Sequence, residues 1–166
     1  MGASNTDPRT GVYWRKLEPR IKAGVVLAGL GNANGGRDIS ETGRTAYVPF
    51  YGGKLEKMET QALVVYGDED VGPHLTTRGA DWHGDAYTCG PGKKCQLVLN
   101  GARHGLGGVA GWDAAETKDE SPELLGIVQR MTWTYLKSAL FEEDETWSEA
   151  CKMFKELDRG VIQSKE

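Results

Sequence analysis

The stretches ALVVYGDED (62–70) and CQLVLNGARH (95–104) decide the fold, because each is a short apolar run that passes through a glycine into ionisable residues. IKAGVVLAG (21–29) is a third run of this kind and also ends at a glycine. Largely continuous apolar runs of this length are typical of parallel strands that are covered on both faces. About 30 residues separate consecutive runs, which is enough for crossover connections. The sequence therefore predicts an α/β fold with parallel strands at 21–29, 62–67 and 95–101.

Two amphipathic helices are expected after these strands. Ser121 and Pro122 indicate the start of the first helix, as N-cap and first helical residue. The second is expected to begin with a capping box, Thr146-x-x-Glu149, and to stop at Gly160. The apolar faces that we expect to pack on the core consist of Leu124, Val128, Met131, Tyr135 and Ala139 in the first helix, and of Trp147, Cys151, Phe154 and Leu157 in the second.

The length of 166 residues favours one domain, for which we expect three parts. These parts are an irregular leader (1–19), a partial α/β domain (20–140), and an acidic helix and tail (141–166). The net charge of −4 arises from residues 140–166, which hold 8 acidic and 4 basic residues. A solvated acidic surface is the simplest meaning of this excess.

Several classes of protein are not expected. The sequence has no basic patch that would indicate a nucleic-acid partner. It has no apolar run long enough to span a membrane. The N-terminal residues lack the apolar segment of a secretory signal peptide, so a soluble, cytoplasmic protein is the default expectation.

Metal and cofactor sites are not expected either. The cysteines, Cys89, Cys95 and Cys151, fit no zinc spacing, and Cys89 and Cys95 flank a turn as either two free thiols or a small disulfide. Gly29-Leu30-Gly31 follows a strand, but it lacks the third glycine and the helix of a dinucleotide-binding loop. The remaining ligand types are irregularly spaced for a metal site; they are His74, His83, His104, Asp81 and Asp85.

The ends of the second and third runs carry the residues with the clearest chemistry. Asp70 follows Gly67 by three residues, and His104 follows Gly101 by three. Both residues would leave a parallel sheet at the same edge, so we expect them to meet there. An aspartate that binds one ring nitrogen of a histidine orients the imidazole and stabilises its charged form, which makes the histidine an effective general base. A solvated turn and a surface histidine are the plainer alternatives.

The sequence also resembles a known superfamily. The resemblance spans roughly residues 18–140 and rests on ALVVYGDEDVGPHLTTRGADWHGDAY (62–87), on QLVLNGARHGLGGVAGWDAAET (96–117), and on the helix ending LKSAL (136–140). These stretches are similar to the C-terminal half of α/β-hydrolase fold enzymes, particularly hydrolases akin to dienelactone hydrolases, chlorophyllases and platelet-activating-factor acetylhydrolases. The resemblance implies a serine hydrolase that acts on ester-like acyl bonds of a small-molecule substrate.

The resemblance also implies roles for individual residues. Asp70 would be the acid of a Ser-Asp-His triad and His104 its base, with Asp68 as the alternative acid. Residues 21–29 would be the strand before the acid. Trp82 and His83 would be packing or substrate-cleft residues beside the site.

The nucleophile of such a triad is not found in this sequence. None of its six serines stands in a Gly-x-Ser-x-Gly elbow, and the oxyanion-hole donors of this superfamily come from the elbow and an earlier loop. We therefore expect half of a domain whose isolated chain is inactive. The alternative is a non-catalytic interaction module, either truncated or a pseudoenzyme, that self-associates through the exposed edge of its first strand.

Overall fold

A computed structural model of the chain describes residues 1–7, 10–46, 53–109, 111 and 120–166. The described strands are β1 (Ser4–Thr6), β2 (Tyr13–Arg15), β3 (Ala23–Leu27), β4 (Gly53–Lys54), β5 (Gln61–Gly67), β6 (Lys94–Leu99) and β7 (Gly160–Lys165). The α-helices are α1 (Glu41–Ala46), α2 (Asp85–Thr88), α3 (Pro122–Leu140) and α4 (Thr146–Leu157), and short 3₁₀ helices span Asn34–Gly36 and Ala80–Gly84.

The main sheet has four strands in the order β3-β5-β6-β7. β3, β5 and β6 are parallel, which confirms the three strands expected from the apolar runs. β7 pairs with β6 in the antiparallel direction, so the sheet is mixed. The chain thus has an α/β fold with a mixed four-stranded sheet and C-terminal helices.

The central strand β5 is covered on both faces, as its continuous apolar sequence predicts. Leu63 and Val65 belong to the cluster of buried side chains that includes α3 and α4. Ala62 and Val64 lie in a second cluster on the other face, with the buried side chain of Met58. This two-sided burial explains why the strand shows no polar–apolar alternation.

The strand β7 corrects the prediction of a helix followed by a tail. Asp158 ends α4 in the left-handed conformation (φ 52°, ψ 37°), and Gly160 is the first residue of the strand rather than a simple stop. Gly160 has a φ of 151°, and a Cβ there would lie 1.9 Å from the carbonyl oxygen of Val98. The chain therefore needs glycine at this position to turn back onto β6.

The first 19 residues also differ from the irregular leader that the sequence predicts. They contain β1 and β2, which join β4 in a small antiparallel sheet of order β2-β1-β4. Met1 and Ala3 pack against the second cluster beneath the main sheet. The leader is thus part of the fold and covers one face of it.

The helix α3 agrees with its predicted start and apolar face. The hydroxyl oxygen of Ser121 accepts a hydrogen bond from the backbone N–H of Leu124 at 3.3 Å, and Pro122 is the first helical residue. The buried side chains of α3 are Leu124, Val128, Met131 and Tyr135, and Ala139 packs beside them. No helix in the described ranges is sufficiently long and apolar to cross a membrane.

The helix α4 begins differently from the predicted capping box. The carboxylate of Asp144 accepts hydrogen bonds from the backbone N–H of Thr146 and from the hydroxyl of Ser138, and these contacts join the end of α3 to the start of α4. Only Ala150 and Phe154 are buried in this helix. Leu157, which the sequence placed on the apolar face, is 56% exposed.

All three cysteines are free thiols, which agrees with the reading of Cys89 and Cys95 as unpaired. Burial raises the pKa of all three thiols, and that of Cys151 to about 11. A raised pKa reduces the thiolate fraction at neutral pH, so these thiols have the properties of structural rather than reactive cysteines.

The packing of α4 predicts different costs for two substitutions on its apolar face. Phe154→Ala should lower the free energy of unfolding by about 3–5 kcal/mol, because it empties a site that is 2% exposed. Leu157→Ala should change it by no more than about 0.5 kcal/mol, because the side chain is largely in solvent. Urea denaturation of the two variants measures both values. Equal losses of unfolding free energy in the two variants would contradict the packing of this helix.

Candidate active site

The loops that follow β5 and β6 are joined to each other at the carboxyl edge of the sheet. The backbone N–H of Asp68 donates to the carbonyl of Leu99, and the N–H of Glu69 donates to the carbonyl of Ala102, both at 3.1 Å. A Cβ on Gly67 would lie 1.9 Å from the Ala102 carbonyl oxygen. Glycine at this position therefore permits the close approach of the two loops.

Asp70 and His104 meet at this edge, as their positions after successive strands predict. Nδ1 of His104 donates to Oδ2 of Asp70 at 3.1 Å. The Asp70 side chain is 6% exposed, whereas the His104 side chain is 58% exposed. The pair thus has a buried carboxylate and an imidazole that reaches solvent.

Asp68, the alternative acid, occupies a different place. One of its carboxylate oxygens accepts the backbone N–H of Gly101 at 2.7 Å. Asp68 therefore holds the turn after β6 in place. The neighbouring Glu69 forms an exposed ion pair with Arg103. Of the three acidic residues after β5, Asp70 is the one that contacts His104.

His83 is the residue at this site whose role the sequence did not resolve. It lies in the short helix Ala80–Gly84, and its side chain is 2% exposed. Nδ1 donates to the carbonyl of Gly29 at 2.7 Å, and Nε2 lies 3.2 Å from Oδ2 of Asp70. Its imidazole thus joins the loop after β3 to the acid after β5. No spacing rule relates position 83 to position 70, so only its place beside the site was predicted.

Backbone groups of the loop after β3 form hydrogen bonds with side chains from other parts of the protein. The backbone N–H of Asn32 donates to Asp85 at 2.9 Å, and the carbonyl of Asn32 accepts the indole N–H of Trp82 at 3.0 Å. A dinucleotide-binding loop offers backbone N–H groups to a phosphate, and here the N–H of Asn32 already donates to Asp85.

Among the residues that the structure describes, Asp70, His83 and His104 form a cluster of side chains that could bind a metal ion. One ligand atom from each lies within 4.8 Å of the others. His74, Asp81 and Asp85, which share irregular spacing with them in the sequence, are not in this cluster. Asp81 and Asp85 pair with Arg78 instead. Because His104 donates to Asp70 and His83 donates to Gly29, the side chains are held in place by protein contacts.

The serines do not form a nucleophile elbow in the structure. The hydroxyl of Ser40 donates to the carbonyl of His74, that of Ser121 caps α3, and that of Ser138 donates to Asp144. Ser164 lies beside Cys95 at the edge of the sheet. Ser4 is buried in β1, and Ser148 is exposed on α4. Part of the stretch GWDAAET, on which the resemblance also rests, lies outside the described residues.

Comparisons with known proteins provide no family assignment. No protein family, curated protein or solved structure matches the chain. The similarity to α/β-hydrolase fold enzymes therefore stays a prediction from the motifs.

The close approach at Gly67 predicts that a single methyl group disturbs this site. Gly67→Ala should lower the free energy of unfolding by about 1–3 kcal/mol, because a backbone carbonyl leaves no room for the methyl. It should also shift the ring signals of His104 in an NMR spectrum, since the two loops must separate.

Gly126→Ala is the matched control, because a Cβ there meets nothing within 4 Å. It lies within α3 and should stabilise the protein by about 0.5–1 kcal/mol. A Gly67→Ala protein of unchanged stability, with unchanged His104 signals, would contradict the role given to Gly67.

Proposed function

We propose that this chain carries the acid and the base of a serine hydrolase of the α/β-hydrolase type. The observation that supports the proposal is the hydrogen bond from Nδ1 of the exposed His104 to Oδ2 of the buried Asp70. The two residues follow adjacent parallel strands in the order that the resemblance implies. Asp70 would be the orienting acid and His104 the general base.

The geometry of the pair suits this chemistry. A carboxylate only accepts hydrogen bonds, so Nδ1 of His104 must carry a proton, and proton exchange with a reacting group would use Nε2. When Nε2 takes the proton of a nucleophile, the ring becomes positively charged, and the adjacent carboxylate stabilises that charge. The exposed position of the ring would let it meet a substrate, whereas the burial of Asp70 keeps its interaction from being weakened by water.

The nucleophile and the oxyanion-hole donors would come from outside these 166 residues. β3 pairs only with β5 within the described part of the chain, so its other edge is open to a further strand. In a parallel sheet, a nucleophile at the end of such a strand would reach the same edge as His104. The ester-like substrate class follows from the resemblance alone. The antiparallel β7 is a departure from what the resemblance implies.

The isolated chain should not hydrolyse short acyl esters. Without a nucleophile, His104 has no hydroxyl to activate. The purified 166-residue protein is expected to show no saturable turnover of p-nitrophenyl acetate or butyrate, and no labelling by a fluorophosphonate probe. Turnover by this protein that disappears in His104→Ala would refute the prediction.

A longer chain that includes the coding sequence before Met1 tests the proposal directly. It should contain a Gly-x-Ser-x-Gly elbow and hydrolyse acyl esters. Asp70→Asn should then lower kcat about 10⁴-fold, as expected for loss of the orienting acid, while Asp68→Asn should retain most of the activity. An upstream sequence with no elbow, or an extended chain with an elbow and full activity after His104→Ala, would overturn the proposal.

A non-catalytic interaction module is the second candidate, and the exposed edge of β3 favours it. Val25 and Val26 are only half-buried, and Leu27 is 36% exposed. An open edge of this kind can pair with another chain. This candidate predicts a dimer in light scattering at micromolar concentrations, which Val25→Lys should dissociate. A monomer that unfolds cooperatively would count against it.

A further inference from the structure

The buried imidazole of His83 has an oxygen atom opposite each of its two ring nitrogens. Nδ1 is 2.7 Å from the carbonyl oxygen of Gly29, and Nε2 is 3.2 Å from Oδ2 of Asp70. The side chain is 2% exposed, so water does not surround either nitrogen. The positions of the protons on this ring must therefore match these two oxygen atoms.

The carbonyl of Gly29 determines where the first proton lies. A carbonyl oxygen only accepts hydrogen bonds, so Nδ1 of His83 carries a proton. A neutral imidazole has no second N–H, and Nε2 would then present a lone pair at 3.2 Å from a carboxylate oxygen. That contact is repulsive, and the low dielectric of a buried site strengthens the repulsion. A proton on Nε2 converts the contact into an ion pair.

The charges around the ring favour the additional proton. Asp70 comes from the loop after β5, and the ring of His104, centred 5.8 Å away, comes from the loop after β6. On the segment that carries His83, the edge of Trp82 contacts the ring, and Arg78 is engaged with the carboxylates of Asp38, Asp81 and Asp85. His83 is thus placed to supply the positive charge that compensates the buried carboxylate of Asp70.

We propose that His83 is a positioning residue for the Asp70–His104 pair and that it acts as an imidazolium ion. One ring N–H is held by Gly29, and the other faces Oδ2, the same oxygen that accepts from His104. This arrangement holds the carboxylate of Asp70 in place in a buried site. The positioning role rests on the proposed function, whereas the protonation of His83 does not.

The wild-type protein provides the first test, because it contains only three histidines. With ¹⁵N-labelled histidine in a slightly alkaline buffer, both ring nitrogens of His83 should give the signals of protonated nitrogens. Exposed His74 serves as the internal reference in the same spectrum. A neutral His83 with an unprotonated Nε2 would overturn the proposal. A His83 spectrum that changes when a chelator removes metal would also overturn it, since a metal ion would then replace the proton.

Two amide substitutions separate positioning from a general structural role. In His83→Gln, the amide nitrogen can still reach Asp70 from the place of Nε2. In His83→Asn, the amide nitrogen takes the place of Nδ1. It can still donate to the carbonyl of Gly29, but the contact with Asp70 is lost. The ¹⁵N signals of His104 should therefore be nearly unchanged in His83→Gln and clearly shifted in His83→Asn. Equal shifts in the two folded variants would overturn the positioning role.

The longer chain that includes the coding sequence before Met1 separates this inference from the proposed function. His83→Asn should lower kcat about 10²-fold, as expected when a catalytic group is misplaced by about 1 Å. His83→Gln should retain most of the kcat of the unsubstituted chain, and His74→Gln should leave kcat unchanged. If the extended chain is inactive while the His83 and His104 spectra agree with expectation, the proposed function fails and the protonated His83 stands. If the chain is active and both His83 variants retain full activity, the positioning role fails.

Discussion

The parallel pairing of β3, β5 and β6 is the constraint on which the candidate site depends. Parallel strands direct their carboxyl ends to one edge of the sheet, so the loops that begin near residues 28, 68 and 100 emerge side by side. The hydrogen bonds of Asp68, Asp70 and His83 at that edge join these loops or the segment that covers them. Because the sheet is buried on both faces of β5, the edge has a rigid support.

At this edge, Asp70 is the common partner of His83 and His104. Its carboxylate is buried, a position that is costly for a charge unless opposite charge and hydrogen bonds offset the lost hydration. His104 donates to it from the solvent side, and His83 faces it from the interior. The two imidazoles differ in exposure and so would differ in purpose. Under the proposed function, the exposed ring would exchange protons with a substrate, whereas the buried ring would hold its neighbours in place.

Under the proposed function, Asp70 and His104 would be the acid and the base of a hydrolytic site whose nucleophile lies elsewhere. The edge of β3 that pairs with no strand in the described residues offers a place where a further strand would extend the sheet and bring a nucleophile to the site. The same edge would support self-association if the chain has no catalytic role. Both proposals use this edge of β3, and they differ in the identity of the chain that would pair with it.

The sequence by itself predicted the three parallel strands, the start and apolar face of α3, and the meeting of His104 with an acid after β5, for which Asp70 was preferred and Asp68 was the alternative. It could do so because apolar runs, caps and the positions after strands are local signals. The strand β7, the strands in the leader, and the contact of His83 with Asp70 were decided by the tertiary structure. β7 and the leader strands are short or polar, and they are stable only because β6 or another strand pairs with them. His83 approaches Asp70 because the 3₁₀ helix packs over the ends of β3 and β5, and no spacing along the chain encodes that contact.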